Sequence, residues 1–312
     1  MKKTAILLIL AFLLFINLLS ALDDKFLRVV YHNKIPAANS IKVRNSNVFV
    51  YNDWYLYIYS YANIWNPTIE TAYSSTYPIT DVESTEDRYV YICSLEPTNY
   101  IMELDSLNTL GRIYFAQKLL CNKAYSEGNL LFTSHVDNGL EIYDISKGVA
   151  PQRVVSYAED WGLIDSEARF PIVHGLNDFG YVNINVKDLT QPRTVGFNYE
   201  IVNGKVLTVN RNIVWVGAGE TLLALDITYP ETPVIINRYR FNAEINAIKA
   251  RSNELYVGLK TSGLKILDIT NSRNIREKNS FYLRNGVNSI DLDEEYIFLG
   301  AGTQGWYILE YR

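Results

Sequence analysis

The chain has 312 residues, with 29 Lys and Arg against 34 Asp and Glu, which gives a formal net charge of −5. This mild acidity, without a basic stripe, argues against a nucleic-acid partner. The sequence contains no Ser/Gly-rich linker, block of like charge or low-complexity tract that would divide it into separate domains.

The N-terminal segment predicts a secretory signal peptide over residues 1–21. Two lysines open it, residues 5–19 are apolar apart from one Asn, and Ser20-Ala21 offers small residues for cleavage. An uncleaved anchor is the alternative, because the apolar run of about 19 residues is near the lower limit for a spanning helix. We therefore expect an exported protein in the periplasm, on the cell surface or outside the cell. A membrane would be contacted only through this segment if it stays uncleaved.

Residues 22–312 contain a repeat of about 41 residues, marked by an aromatic strand position. That position recurs at Phe49, Tyr91, Phe132, Val173 (an aliphatic stand-in), Trp215, Tyr256 and Phe298. A repeat of this length, rich in strand formers, is typical of a β-propeller with one repeat per blade. We predict an all-β fold: a seven-bladed β-propeller of four-stranded antiparallel blades.

Residues 245–283 show most clearly how one repeat becomes one blade. INAIKARS, ELYVG, GLKILDIT and REKNSFYL read as four successive strands, from innermost to outermost. An Asp ends the third strand in most repeats: Asp105, Asp144, Asp188, Asp226 and Asp268. We expect its carboxylate to accept backbone N–H bonds and nucleate the turn into the outermost strand.

The last repeat lacks an outermost strand, since the chain stops after GWYILEYR. The segment LRVVYHN (27–33) resembles QRVVSYA (152–158), which reads as an outermost strand. We predict that the N-terminal strand pairs with the last blade and closes the ring, which would protect the sheet edge.

Three third-strand segments carry a family resemblance: GLEIYDIS (139–146), LLALDITYPETPV (222–234) and GLKILDITNSRN (263–274). They resemble the LVIVD repeat, which is known from exported or surface propellers of bacteria and archaea. The resemblance implies a propeller and an exported location, and it brings no catalytic motif. The Gly-His and Trp-Asp dipeptides of WD-repeat propellers are absent from the sequence.

Candidate ligand-binding residues concentrate on the loops that should share one propeller face. They are Trp54, His135, Asp137, Asp160, Trp161, His174, Asp178 and Phe179. Aromatic rings and imidazoles beside carboxylates could bind a glycan or a protein partner, since exposed aromatics are frequent binding hot spots. The alternative is that Trp54 and Trp161 pack between blades.

Motifs for metals and catalysis are missing. His135, Asp137 and His174 could ligate a transition metal but match no zinc spacing, and DLDEE (291–295) lacks the EF-hand pattern. No GxSxG, phosphate-binding loop or HExxH occurs. We therefore predict no metal, no cofactor and no catalytic residue.

An axial active site would need charged side chains near the ring axis. The first candidates would be Asp160, Asp178, Glu220, Lys260 and Arg284.

The two cysteines, Cys93 and Cys121, should lie toward the same face on adjacent blades. In an oxidising compartment they could form a disulfide, and two buried free thiols are the alternative.

The sequence favours an exported, monomeric, non-catalytic scaffold that binds a protein or a glycan. A lyase or hydrolase acting on sugars or lactones, or a structural cell-surface component, remain alternatives.

Overall fold

The structure is a computed structural model that describes residues 27–34, 37–85, 89–94, 98–104, 110–117, 121–157 and 161–311. Within these ranges, 28 strands form seven four-stranded sheets, and all strand pairs are antiparallel. The innermost strands contact one another in sequence around a closed ring. The prediction of an all-β propeller with four-stranded antiparallel blades is confirmed.

Each blade runs from an innermost strand at the ring axis to an outermost strand at the rim. The innermost strands are β2 (Ser40–Arg44), β6 (Ile79–Ser84), β10 (Lys123–Glu127), β14 (Asp165–Arg169), β18 (Gly204–Asn210), β22 (Ile245–Arg251) and β26 (Ser289–Leu292). The second strands are β3 (Asn47–Tyr51), β7 (Tyr89–Ser94), β11 (Leu130–His135), β15 (Ile172–Asn177), β19 (Ile213–Ala218), β23 (Glu254–Leu259) and β27 (Tyr296–Gly300).

The third strands are β4 (Tyr55–Ser60), β8 (Thr98–Leu104), β12 (Gly139–Asp144), β16 (Gly180–Asn185), β20 (Thr221–Asp226), β24 (Gly263–Asp268) and β28 (Trp306–Tyr311). The outermost strands are β5 (Thr68–Ser74), β9 (Leu110–Gln117), β13 (Gln152–Tyr157), β17 (Arg193–Asn198), β21 (Val234–Arg240), β25 (Arg276–Phe281) and β1 (Leu27–Asn33). Blade one is β2–β5, and the blades are numbered from there to blade seven, which combines β26–β28 with β1.

The N-terminal strand closes the ring, as the sequence predicts. β1 pairs antiparallel with β28, and β2 of blade one contacts β26 of blade seven. The pairing of β1 has a bulge between Val29 and Tyr31, and the outermost strands of blades three to six carry the same irregularity. The N-terminal strand therefore replaces the missing outermost strand in geometry as well as in position.

The Asp at the end of the third strand has the turn-forming role expected of it. The Oδ1 atoms of Asp144, Asp226 and Asp268 accept the backbone N–H two residues further on, at 2.8–2.9 Å. These hydrogen bonds hold the pKa of the three carboxyls below the ordinary value. The assignment of Asp188 is wrong, because β16 ends at Asn185, whose Oδ1 accepts the equivalent bond from Lys187 N at 2.9 Å, and Asp188 forms a separate turn three residues later. Asp105 lies outside the described residues.

The hydrophobic core is divided into layers between neighbouring blades. At the first seam, Phe49 and Ile58 of blade one pack against Val82 and Ile92 of blade two. At the closing seam, Trp306 of blade seven packs in one cluster with residues of blade one. Because each blade buries both faces against its neighbours, the ring holds its loops on a rigid frame.

The predicted signal peptide, residues 1–21, lies outside the described residues. Within the described ranges, no helix has the length and apolar character needed to cross a membrane.

Candidate functional site

Two sets of loops meet on one face of the ring, which we call the upper face. One set joins the second and third strands of a blade, and the other joins the outermost strand to the next blade. Backbone hydrogen bonds connect the two sets: Leu163 N donates to His135 O at 2.9 Å, and Ile79 N donates to Asp53 O at 2.8 Å. The upper face is therefore a surface of cross-linked loops.

The upper face carries much of the exposed apolar surface. Among the described residues, seven large exposed apolar side chains lie there: Trp54, Tyr55, Val136, Phe179, Tyr199, Val202 and Tyr282. The opposite, lower face carries three such side chains, which are Trp65, Phe170 and Tyr229. Apolar exposure on this scale marks interaction surfaces when the side chains are contiguous.

Three of these side chains and two half-buried neighbours form a continuous surface across blades three and four. We call it the aromatic patch, defined as Val136, Trp161, Phe179, Phe197 and Tyr199. The ring centroid of Phe197 is 5.9 Å from that of Trp161 and 4.5 Å from that of Tyr199. Phe179 and Tyr199 are 61% and 71% exposed, so the outer end of the patch faces solvent.

Two glycines bring the loops of the patch together. A β-carbon on Gly162, beside Trp161, would lie 1.8 Å from the carbonyl oxygen of Val136. A β-carbon on Gly180, beside Phe179, would lie 2.3 Å from the carbonyl oxygen of Asn198 and 3.2 Å from Tyr199 Cα. Only glycine permits these approaches, so both loop contacts depend on the absence of a side chain at positions 162 and 180.

The structure brings together four of the residues expected on the binding face. Trp161 and Phe179 belong to the aromatic patch, and the exposed Asp137 and Asp178 adjoin it as sequence neighbours of Val136 and Phe179. Trp54 is exposed on the same face but in blade one. Asp160 lies outside the described residues.

His135 is buried and shapes a turn. Its Nδ1 atom accepts the backbone N–H of Asp137 at 3.0 Å and that of Asn138 at 3.2 Å. An Nδ1 that accepts these bonds carries no proton, so the imidazole is neutral in this arrangement. His135 therefore supports the loop that presents Asp137 without itself facing a ligand.

His174 is inside blade four, away from the upper face. Its Nδ1 lies 2.7 Å from Tyr181 Oη and 2.8 Å from Asn183 Oδ1. The Asn183 amide in turn donates to the carbonyl oxygen of Pro230, in the loop between the third and outermost strands of blade five, at 2.8 Å. Burial lowers the pKa of His174 to about 4, with the hydrogen bond to Asn183 opposing the shift. The expectation that His174 contributes to a binding face or metal site finds no geometric support here.

The strand register also corrects the position assigned to the repeat in blade four. His174 lies opposite Asn183, and the bulge follows Asn183. In blade five, Trp215 lies opposite Ala224, and the bulge follows Ala224. His174, rather than Val173, is therefore the structural equivalent of the aromatic residue in the other blades.

The two cysteines form a disulfide across the seam between blades two and three. Cys93 is near the end of β7, Cys121 precedes β10, and their Cα atoms are 5.3 Å apart. Cys121 N also donates to Ser94 O at 3.3 Å. The disulfide therefore ties together two blades just below the upper face.

A cavity of about 400 Å³ runs along the ring axis and is lined by the innermost strands. Five carboxylates line it: Asp81, Glu83, Asp165, Glu167 and Asp291. Five cationic side chains line it as well: Lys42, Arg44, Lys123, Arg169 and Lys249. None of Asp178, Glu220, Lys260 and Arg284 is among the lining residues, which corrects the expectation for an axial site.

Each axial carboxylate accepts a backbone N–H from the next innermost strand. Asp81 accepts from Ala124 at 2.9 Å, Asp165 from Leu207 at 2.8 Å, and Asp291 from Val43 at 2.8 Å. Glu83 and Glu167 do the same with Ser126 and Val209. The innermost strand is an open sheet edge, so these carboxylates satisfy donors that would otherwise be unpaired.

The ionisation of two equivalent axial carboxyls differs because their neighbours differ. Burial raises the pKa of Asp165 to about 6, and Lys123 only partly opposes this shift. Burial would raise the pKa of Asp81 as well, but the Lys42 ammonium, 3.3 Å away, holds it below the ordinary value. Burial alone would lower the pKa of Lys42, yet Asp81 and Glu83 raise it, so Lys42 stays charged.

No group of three or more metal-ligating side chains occurs in the described part of the chain. In the DLDEE segment, Asp293 Oδ1 accepts the N–H groups of Glu295 and Tyr296 at 2.8 and 2.6 Å, which forms a turn.

A groove of about 690 Å³ lies on the lower face between blades six and seven. There Glu254 accepts hydrogen bonds from Tyr256 and Lys278 at 2.7 Å.

These features define the chain as a β-propeller with a loop-bearing upper face. No protein-family model matches the chain, and no curated protein sequence matches it. Solved propellers resemble it in fold. The RRP9 WD40 repeats align with TM-score 0.72 and 10% identity over 92% of this chain and 97% of that chain. The WD40 β-propeller domain of Doa1 aligns with TM-score 0.70 and 12% identity over 92% and 97%.

A third similar structure is PorZ, described as an essential bacterial surface component of the type-IX secretion system of Porphyromonas gingivalis. It aligns with TM-score 0.65 and 11% identity over 91% of this chain and 38% of that chain. At such identities the similarity shows the fold alone.

Proposed function

We propose that this protein is an exported, non-catalytic scaffold that binds a protein partner on the aromatic patch of its upper face. The observation that carries the proposal is the continuity of the patch from half-buried Trp161 to largely exposed Tyr199 on hydrogen-bonded loops. Aromatic side chains held rigidly lose little entropy on binding, which favours them as interface anchors. WD40 propellers, which share the fold, are commonly protein-interaction scaffolds.

The direction of β1 supports presentation of the upper face. Leu27 pairs with Tyr311 and Asn33 pairs with Trp306, so β1 runs from the lower face to the upper face. Any segment that precedes Leu27 therefore leaves the ring on the lower face. In the alternative case of an uncleaved leader, this tether would hold the lower face toward the membrane and leave the aromatic patch accessible.

Export is part of the proposal. The signal-peptide pattern of residues 1–21, the resemblance to the LVIVD repeat and a disulfide at Cys93–Cys121 support it, because structural disulfides persist in oxidising compartments. Mass spectrometry of the protein from envelope and medium fractions tests it. We expect a mature N-terminus close to residue 22, and an intact N-terminus in the cytoplasm would contradict export.

Site-specific photo-crosslinking tests the binding face. A benzophenone amino acid replaces Tyr199 on the upper face or Tyr229 on the lower face, two positions with the same 71% exposure. We expect a defined adduct in native cell envelopes from position 199 that Trp161→Ala removes, and no adduct from position 229. Equal adducts at both positions, or none at position 199, would contradict the proposal, and mass spectrometry distinguishes a peptide adduct from a glycan.

An axial enzyme is the second candidate, and Asp165 is the observation that favours it. A buried carboxyl with a pKa of about 6 in a cavity of about 400 Å³ could exchange protons near neutral pH. Thermal-shift measurements with oligosaccharides and simple lactones test this candidate. A saturable shift that Asp165→Asn removes would support an axial ligand, whereas an unchanged melting temperature leaves the upper face as the functional surface.

A further inference from the structure

We propose that the aromatic patch recognises a basic segment of its protein partner, with Lys or Arg side chains that contact both the rings and the carboxylates beside them. This inference rests on the proposed function and names the chemistry of the partner. It follows from the charges around the patch: among the described residues, the carboxylates of Asp137 and Asp178 have no cationic partner, whereas four cations of blades five and six are held by glutamates.

Asp137 extends into solvent beside Val136, with its side chain 82% exposed. Its carboxylate is 4.0 Å from His135 Nδ1, but that nitrogen accepts two backbone hydrogen bonds and carries no proton. The contact is therefore not an ion pair. Among the described residues, no Lys or Arg lies within ion-pair distance of the Asp137 carboxylate.

Asp178 is exposed between Asn177 and Phe179 in the corresponding loop of blade four. Asn177 Oδ1 accepts the N–H groups of Phe179 and Gly180 at 2.9 and 3.0 Å, so the turn is formed without the Asp178 side chain. In the described part of the chain, this carboxylate has neither a cationic partner nor a turn-forming role. Its charge is available to a ligand beside the exposed Phe179 ring.

Four cationic side chains of blades five and six on this face are held in ion pairs. Arg238 pairs with Glu200 at 3.1 Å and Arg240 pairs with Glu220 at 2.9 Å, whereas Lys205 and Lys260 share the carboxylate of Glu244. Because two lysines share one glutamate, blades five and six keep some positive charge. In blades three and four, among the described residues, Asp137 and Asp178 have no cationic partner, so the patch itself presents negative charge.

Aromatic rings next to unpaired carboxylates favour Arg and Lys over other side chains. A guanidinium can stack on a ring face while its N–H groups bond a carboxylate, which uses both features at once. The same pairing of ring and cation occurs within this chain, where the Arg28 guanidinium carbon lies 4.6 Å from the centre of the Trp65 ring. The patch offers this chemistry to a second molecule.

Binding of defined peptides by the full-length protein tests the inference. The probe is a fluorescein-labelled hexa-arginine peptide measured by anisotropy at about 0.15 M salt, with hexa-glutamine and hexa-glutamate peptides as comparisons. We expect binding of hexa-arginine alone. Asp137→Asn and Asp178→Asn should each weaken it by about two- to fivefold, as for exposed ion pairs, and Tyr199→Ala should weaken it by roughly tenfold.

A charge-matched control separates site binding from attraction to an acidic protein. The double variant Glu231→Gln/Glu294→Gln removes two exposed carboxylates from the lower face and changes the net charge as Asp137→Asn/Asp178→Asn does. The inference requires that only the upper-face double variant weakens binding. Equal weakening by both double variants would overturn it, as would unchanged binding by the upper-face double variant.

The crosslinking at position 199 distinguishes this inference from the proposed function. If Asp137→Asn/Asp178→Asn leaves the native adduct intact while Trp161→Ala removes it, the scaffold remains and the basic partner is wrong. If neither variant changes the adduct, both fail. A glycan adduct at position 199, together with absent hexa-arginine binding, would also overturn the basic partner. The inference stands if the adduct is a basic peptide and both variants remove it.

Discussion

Replacing Asp165 by Asn should change the stability of the propeller in a pH-dependent way. Asp165 is buried at the ring axis, where its carboxyl accepts hydrogen bonds from Leu207 N at 2.8 Å and from Ser166 N at 3.1 Å. The two bonds go to different carboxyl oxygens, so the single side-chain oxygen of Asn can accept only one of them, and Asn cannot ionise. The lost hydrogen bond costs the same at every pH, so the change of the stability difference with pH isolates the cost of ionising a buried carboxyl.

The magnitude follows from the pKa of Asp165, which burial raises from 3.8 to about 6 in the folded protein. The folded state retains the proton over a range in which the unfolded chain has lost it, so stability falls as pH rises from about 4 to about 6. At about 1.4 kcal/mol per pH unit, the full cost is about 3 kcal/mol above pH 6. About 0.5 kcal/mol of that cost is already present at pH 4, which leaves a change of about 2.5 kcal/mol between pH 4 and pH 8.

Urea unfolding followed by Trp fluorescence at fixed ionic strength measures the effect. The quantity to compare is the free energy of unfolding of Asp165→Asn minus that of the wild type, at about pH 4 and about pH 8. We expect this difference to be about 2.5 kcal/mol more favourable to the variant at the higher pH. The subtraction matters because His174 titrates in the opposite sense: its lowered pKa removes stability as pH falls from 6.5 toward 4.

Asp81→Asn is the matched control, because Asp81 occupies the equivalent place in blade two and also accepts an N–H from the next blade. The pKa of Asp81 is lowered, so its ionised form stabilises the fold above pH 3.8 and this stability is lost as pH falls through the folded pKa. Asp81→Asn should be most destabilising at neutral pH. The reasoning would be refuted if the difference in unfolding free energy between Asp165→Asn and the wild type did not change with pH. It would also be refuted if this difference changed with pH in the same direction for Asp165→Asn and for Asp81→Asn.

Three further predictions concern the frame. Reduction of the Cys93–Cys121 disulfide, which spans 28 residues, should lower the free energy of unfolding by about 3–4 kcal/mol. Urea unfolding with and without a reductant measures this loss, and an unchanged free energy of unfolding after full reduction would contradict the prediction. Gly305→Ala would place a β-carbon 1.9 Å from Asn33 O and should remove hydrogen-exchange protection across β1 and β28. Gly219→Ala, at φ +59° in open space, should cost only about 1 kcal/mol and leave protection intact. The imidazole protons of His174 should not titrate by NMR above about pH 5, and a midpoint near pH 6.5 would show that the ring is not buried.

The propeller fold could be predicted from the sequence because its determinants are local and repeated. Where an Asp ends a third strand, as in blades three, five and six, it bonds an N–H only two residues away, so its spacing reports the end of the strand directly. Ring closure was also predictable, since β1 carries the pattern of an outermost strand in LRVVYHN. The strand-ending Asp and the outermost-strand pattern both recur in several blades, and this recurrence distinguishes them from chance matches.

Blade four shows where sequence reasoning loses accuracy. The sequence predicts Val173 as an aliphatic stand-in at the aromatic position, whereas the strand register places His174 there. A buried His satisfies its ring nitrogen through Tyr181 and Asn183, which lie on the neighbouring strand. This network depends on pairing across strands, and a single repeat read along the chain does not reveal it.

The role of the axial charges in binding neighbouring strands could not be predicted from the sequence for a related reason. At the position facing the axis, blades one, two and five carry residues as different as Lys42, Glu83 and Thr208, so no repeated type marks it. Variation at an inward-facing position would ordinarily favour a specific ligand site. Here, however, the carboxylates satisfy N–H groups on the open edges of neighbouring strands, and Lys42 neutralises two of them. An axial ligand would have to displace bonds that the frame uses, whereas a partner on the upper face meets rings and carboxylates that the frame leaves free.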